Sequence, residues 1–194
     1  MPHARPRVPL IVPLLVATAL FMEMLDATIV NTAVPSIARS LGIAPLSVKA
    51  VLTSYTLSLA VFIPISGWMA DRFGTRKVFA TAVGVFTLGS LLSGAAPNIH
   101  ALVAARVIQG AGGAMMTPVG RVMLVRTFPR DEIIGAMNYV IVPSLLGPLL
   151  GPLVGGVIVA FLPWRVIFLV NVPLGLVGIA LILKSVSYTH LRAH

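Results

Sequence analysis

Residues 10–34 read LIVPLLVATALFMEMLDATIVNTAV. About 20 predominantly apolar residues cross the hydrocarbon core of a bilayer as a helix, so this stretch is long enough to span one. It also carries two acids, Glu23 and Asp26, three residues apart and therefore on one helix face. A charge at the centre of an inserted helix costs about 2.5–3.5 kcal/mol. The eleven Leu, Ile, Val and Phe residues between Leu10 and Val30 return roughly 0.3–0.6 kcal/mol each, so the two sides nearly cancel. Lipid gives this pair no reason to exist. Intramembrane acids of this kind face a protein interior or a wet cavity, where taking a carboxylate out of water favours proton exchange. Arg5 and Arg7 followed by an apolar stretch and Ala17-Thr18-Ala19 also resemble a signal peptide. The apolar character continues through Phe21, Met22 and Leu25, which fits an uncleaved span better.

The rest of the chain repeats the pattern. Further apolar runs occupy roughly 50–70, 77–96, 100–124, 134–160 and 166–184. The chain is 58% hydrophobic and only 10% charged over 194 residues, far from the composition of a soluble domain. Short links at 71–76, 97–99, 126–133 and 161–165 make neighbouring spans antiparallel, and no alternating pattern suggests a barrel. The expected fold is all-α: a polytopic membrane protein built as a six-transmembrane-helix bundle. With the N-terminus cytoplasmic, one side holds Arg5, Arg7, Arg72, Arg76, Lys77, Arg121, Arg126, Arg130 and Lys184, the other only Arg39, Lys49 and Arg165. That bias satisfies the positive-inside rule, and it accounts for the net charge of +9 without a nucleic-acid partner. Trp68 and Trp164 fall at span ends, where an interfacial position is expected.

Two other segments break the apolar rule. Arg106 lies about seven residues into the fourth span, with Gln109 one turn along the same face; a buried guanidinium needs carbonyls or a carboxylate. In the fifth, Gly147, Gly151 and Gly155 recur every four residues among Pro143, Pro148, Pro152 and Gly156. Small residues so spaced allow close helix approach, while interior prolines bend a helix. There are no cysteines, and only His3 and His100 stand outside the C-terminal residues, so no catalytic cluster supports an enzyme and no metal site is expected.

Taken together, four motifs resemble the major facilitator superfamily, in particular its fourteen-span drug:proton antiporters. Leu25-Asp26-Ala27-Thr28-Ile29-Val30-Asn31-Thr32-Ala33-Val34-Pro35 is similar to the antiporters' first-helix motif. Gly67-Trp68-Met69-Ala70-Asp71-Arg72-Phe73-Gly74-Thr75-Arg76-Lys77 resembles the superfamily's cytoplasmic loop signature, with Thr75 where a basic residue is usual. Arg106-Val107-Ile108-Gln109-Gly110-Ala111-Gly112 matches the fourth span. Gly147-Pro148-Leu149-Leu150-Gly151-Pro152-Leu153-Val154-Gly155-Gly156 resembles the motif associated with antiport. Trp164-Arg165-Val166-Ile167-Phe168 leading to Asn171-Val172-Pro173 is similar to the start of this group's sixth helix.

The resemblance implies the N-terminal half of a major facilitator fold, with 3+3 inverted repeats rocking about a central site. It implies proton-coupled efflux of drugs or other small lipophilic or cationic compounds, driven by the proton gradient without a cofactor, in a bacterial inner membrane. The alternative is symport or uniport of a small metabolite. Asp26, with or without Glu23, would carry the proton and Arg106 would sense it; Asn31 and Gln109 would line the substrate cavity. Asp71 would accept donors from the opposite half, while Gly67, Arg72, Gly74 and Arg76 complete the cytoplasmic gate. The fifth-span glycines would pack against that other half. The partners implied are the substrate, protons, the bilayer and a missing C-terminal half. Residues 1–185 form the expected transporter bundle. Residues 186–194 (VSYTHLRAH) resemble a translated sequencing-library adapter, an expected non-native tail.

Overall fold

The computed structural model describes residues 10–190, with side chains described through Ile182. Arg5 and Arg7 of the charge asymmetry, and the side chains of 183–194, Lys184 of that asymmetry among them, lie outside the described residues. The order is α1 (Ile11–Leu41), α2 (Pro45–Phe73), α3 (Thr75–Ala95), α4 (Ile99–Thr127), α5 (Ile133–Phe161), α6 (Val166–Leu169) and α7 (Asn171–His190). Among the described residues, α1 to α5 are each long and apolar enough to cross a membrane, and Val166–Ile182 adds a shorter apolar stretch. The sixth expected span is therefore present in two pieces, α6 and α7.

The helices outrun the apolar runs that announced them. α1 continues through Pro35 to Leu41, because a proline forfeits its own donor without preventing the next turn. It stops at Gly42, whose left-handed φ of 64° places the Ile43 amide on the Ala38 carbonyl at 3.0 Å. Pro45 then opens α2 at a position where no amide is missed. Gly74 alone separates α2 from α3, at a φ of 87° that a side chain would oppose. Asn98 starts α4 by accepting the Ala101 amide at 2.9 Å. At that same end Arg165 Nη2 donates to the Ala96 carbonyl at 2.7 Å, capping α3. α5 runs unbroken through Pro143, Pro148 and Pro152.

α1 packs along α5, α2 along α4, and α3 between α4 and α7. Exchanging the first three spans with the last three maps the α1–α5 contact onto α4–α2, the relation expected of inverted repeats. Small residues make these approaches close: a Cβ on Gly110 would meet Ser58 and the Tyr55 carbonyl, and one on Gly89 the Gln109 backbone. Two apolar clusters result. One gathers Val16, Phe79, Phe86, Met116 and Leu124 towards the end that holds Asp71 and Arg126. The other gathers Ile29, Ile37, Leu102, Ile167 and Phe168 towards the opposite end. Between them α1, α3, α4 and α7 contribute a buried polar layer. Trp68 is exposed as expected of an interfacial residue, but Trp164 is buried, edge-on to Phe168 and stacked by Arg165.

Candidate functional site: a buried ion pair between the first and fourth spans

The polar layer centres on Asp26, which is wholly buried. Its Oδ2 accepts from Arg106 Nη1 at 2.5 Å, and its Oδ1 accepts from Gln109 Nε2 at 2.9 Å and Asn171 Nδ2 at 3.0 Å. Arg106 Nη1 also donates to Gln109 Oε1 at 2.8 Å, a contact that three-residue spacing on α4 makes natural. The guanidinium lies 4.0 Å over the Tyr55 ring and 5.7 Å from that of Phe168, an arrangement that favours a cation on a π face. Removing two charges from water is costly, and a buried pair survives only where further hydrogen bonds satisfy it. Gln109 and Asn171 supply them. Arg106 Nε, Tyr55 OH and Asn171 Oδ1 have no hydrogen-bond partner.

Glu23 sits one turn away, also buried, and accepts from Thr117 Oγ1 at 2.7 Å. The two acids thus share a face of α1 but meet α4 at separate levels, one at an arginine and one at a hydroxyl. Thr117 also borders a cavity of about 380 Å³ between α1, α4 and α5, lined by Leu20, Met24, Arg121, Met137 and Pro148 among others.

The expected cavity residues separate. Gln109 is fully buried with both amide atoms engaged by Asp26 and Arg106, so it belongs to the ion cluster and does not line the cavity. Asn31 is exposed on α1 and donates to its own helix at Ala27 O, 3.2 Å. The gate residues lie at the end shared by α2, α3 and α4. There Asp71 accepts from Arg126 Nη2 at 2.8 Å, a donor of the same bundle where one from the opposite half was expected. The C-termini of α2 and α4 converge at this end, which brings the two together. Arg72 lies 5.9 Å from the Trp68 ring, and Gly67, Gly74 and Arg76 are exposed.

The glycine motif of α5 meets a helix of this same bundle. Gly147, Gly151 and Gly155 are buried against α1 of this bundle, where a Cβ would strike Met24 and Leu25, Thr28, and Thr32 with Ile29 in turn. Four-residue spacing places them on one stripe, and α1 is the helix it meets. Pro148, Pro152 and Gly156 lie on the exposed side. Asn171, Ser90, Tyr55 and Thr117 were not singled out as site residues from sequence. Asn171 carried the same signal as Asp26, a lone polar group in an apolar run, whereas small hydroxyls are common in helices and give none. Among the described residues no group of three or more His, Asp or Glu side chains could hold a metal ion.

The Major Facilitator Superfamily profile matches residues 16–192. A relative from Klebsiella pneumoniae subsp. pneumoniae, named "Putative multidrug resistance protein MdtD", is 51% identical over 90% of this chain and 37% of its own length. A relative of the same name from Escherichia coli strain K12 / DH10B is 48% identical over the same shares. The chain thus spans little more than a third of these relatives. Among solved structures, a D-xylose-proton symporter superposes with a TM-score of 0.76 at 15% identity, over 89% of this chain and 47% of that one. A peptide transporter POT in complex with sulfate gives 0.77 at 17% identity, over 90% and 37%. At such identities the likeness concerns the fold alone. With a profile match over most of its length and apolar helices that cross a membrane several times, the chain is a multi-pass membrane protein belonging to the Major Facilitator Superfamily.

Proposed function

We propose that this bundle is the N-terminal half of a proton-coupled efflux transporter of a bacterial inner membrane, exporting small lipophilic or cationic compounds. Its N-terminus is then cytoplasmic, as the exposed Arg72, Arg76, Arg121, Arg126 and Arg130 at one end favour. The observation that carries the reading is the buried Asp26–Arg106 pair joining α1 to α4. While Asp26 is ionised, the charge on Arg106 is compensated and the two helices are drawn together. A proton arriving at Asp26 removes that attraction and leaves a buried guanidinium uncompensated, which favours a different packing of α1 on α4. Coupling energies of about 1–3 kcal/mol suffice to link two sites in this way. Glu23, one turn from Asp26 and bonded to Thr117, which lines the cavity, provides a second exchangeable carboxyl that a cation can satisfy. The relatives named for multidrug resistance support the substrate class.

The test uses the full-length transporter in proteoliposomes with an imposed proton gradient and a cationic dye. Asp26→Asn abolishes gradient-driven efflux. Unchanged efflux in that variant moves the proton to Glu23, to be checked with Glu23→Gln, and transport indifferent to the gradient in the wild type ends the antiport reading.

A further inference from the structure

Among the described residues the sixth apolar segment is the one whose helix is interrupted inside its apolar run, at Val170, which itself keeps helical dihedrals (φ −57°, ψ −34°). That interruption is wired to the buried acid. Asn171, the first residue of α7, is buried to 1% exposure and spends both hydrogens of Nδ2, one on Asp26 Oδ1 at 3.0 Å and one on Ser90 Oγ at 3.2 Å. Ser90 of α3, fully buried, donates in turn to the carbonyl of Phe168 in α6, at 2.8 Å. The chain of hydrogen bonds has one polarity: every donor in it points away from Asn171 or from Ser90, towards the carboxylate at one end and the helix break at the other.

A carboxylate only accepts, but a carboxylic acid must also donate. Of the three side chains bonded to Asp26, Arg106 has no acceptor and the Gln109 carbonyl oxygen is held by Arg106. Asn171 Oδ1, buried and unpartnered, is the acceptor that remains. We propose that Asn171 is the positioning residue that carries the protonation state of Asp26 to the break between α6 and α7. With Asp26 neutral, the amide turns over and Oδ1 accepts the new O–H. It now also faces Ser90, whose hydroxyl rotates from the Phe168 carbonyl onto Asn171. One proton has been added at Asp26 and no other has left its oxygen. The Phe168 carbonyl is released, and α6 is free to shift against α3, while Asn171 keeps the start of α7 on Ser90. The other charged and titratable groups facing Asp26 are Arg106 of α4, Tyr55 of α2 and Glu23 on its own helix. α5 carries no charged group and its Tyr139 is exposed, and the charges of α3, Arg76 and Lys77, lie at its far end. Acid therefore favours the released state and alkali the tethered one.

This inference rests on the proton-coupling reading, and the experiment separates the two. In the full-length transporter, labels at the exposed positions Leu88 of α3 and Leu169 of α6, as Leu88→Cys and Leu169→Cys, report the α3–α6 distance by electron resonance across a pH series. Infrared difference spectra of the same samples follow the Asp26 carboxyl, identified by its loss in Asp26→Asn. In the wild type, distance and carboxyl band change with one midpoint. In Asn171→Leu and in Ser90→Ala the band still titrates while the distance stays fixed, and Ser90→Thr, which keeps the hydroxyl, restores the movement. A pH-dependent distance that persists in Asn171→Leu or Ser90→Ala overturns the proposal alone. A wild type whose Asp26 band does not titrate overturns it together with the proton-coupling reading.

Discussion

Among the described residues two aspartate–arginine pairs tie other helices to α4, and they differ in almost everything but chemistry. Asp26–Arg106 is buried to within 1% and is braced by Gln109, Asn171 and the Tyr55 ring. Asp71–Arg126, about 30 Å further along the helix, leaves 72% of the aspartate and 53% of the arginine exposed. The first pair has been taken out of water, so it depends on partners that the protein itself supplies. The second competes with solvent at every moment. The inner pair is thus a committed element of this bundle, and the outer one is a contact that can be exchanged, including for donors of another half.

The largest effect that this contrast predicts is at Arg106. Arg106→Ala leaves Asp26 buried and uncompensated, a loss of about 3–5 kcal/mol for a broken buried pair. Unfolding of the purified full-length transporter in detergent measures it. The double replacement Asp26→Asn with Arg106→Gln removes both charges and recovers much of that loss, because the penalty belongs to the lone charge. Equal losses in single and double variants would mean that packing, not charge, holds this layer. Arg126→Ala, by contrast, costs about 1 kcal/mol or less.

The next effect separates the two sides of α5. Gly151→Val places side-chain atoms against Thr28 of α1, and overpacking of this kind costs about 1–3 kcal/mol. At Gly156 an added Cβ meets nothing within 4 Å, so Gly156→Ala leaves stability of the bundle unchanged within about 0.5 kcal/mol. If Gly156→Ala nevertheless impairs transport in the full-length protein, its exposed side works against the other half. If Gly151→Val is silent in both assays, the α1–α5 contact does not limit stability.

The spans were legible because membrane crossing demands long apolar runs, and α1 to α5 obey that demand. The acids and Arg106 were legible for the opposite reason, as charges where lipid forbids them. What the sequence hid was direction. Gln109 reads as a polar side chain free for substrate, yet α4 rotates it onto Asp26. The α5 glycines read as a surface for any helix, and only the fold says that α1 takes it. Asn171 lay in plain view as a lone amide in an apolar run. Its role required knowing that the sixth segment breaks at that residue, and VIFLVNVPLG shows no glycine or proline at the break itself.

The smallest predicted effect is the most direct probe of exchangeability. An exposed pair is screened when salt shortens the Debye length from about 10 Å at 0.1 M to about 3 Å at 1 M, while a buried one is hardly touched. Raising salt across that range should therefore erase the stability difference between wild type and Asp71→Asn, itself about 1 kcal/mol or less. The much larger difference between wild type and Arg106→Ala should persist. A salt-resistant Asp71 contribution in the full-length transporter would place that carboxylate in a covered contact, as the gate expectation requires of the assembled halves. A salt-sensitive one would leave it paired with Arg126 in water, with the closing of that end resting on groups other than Asp71.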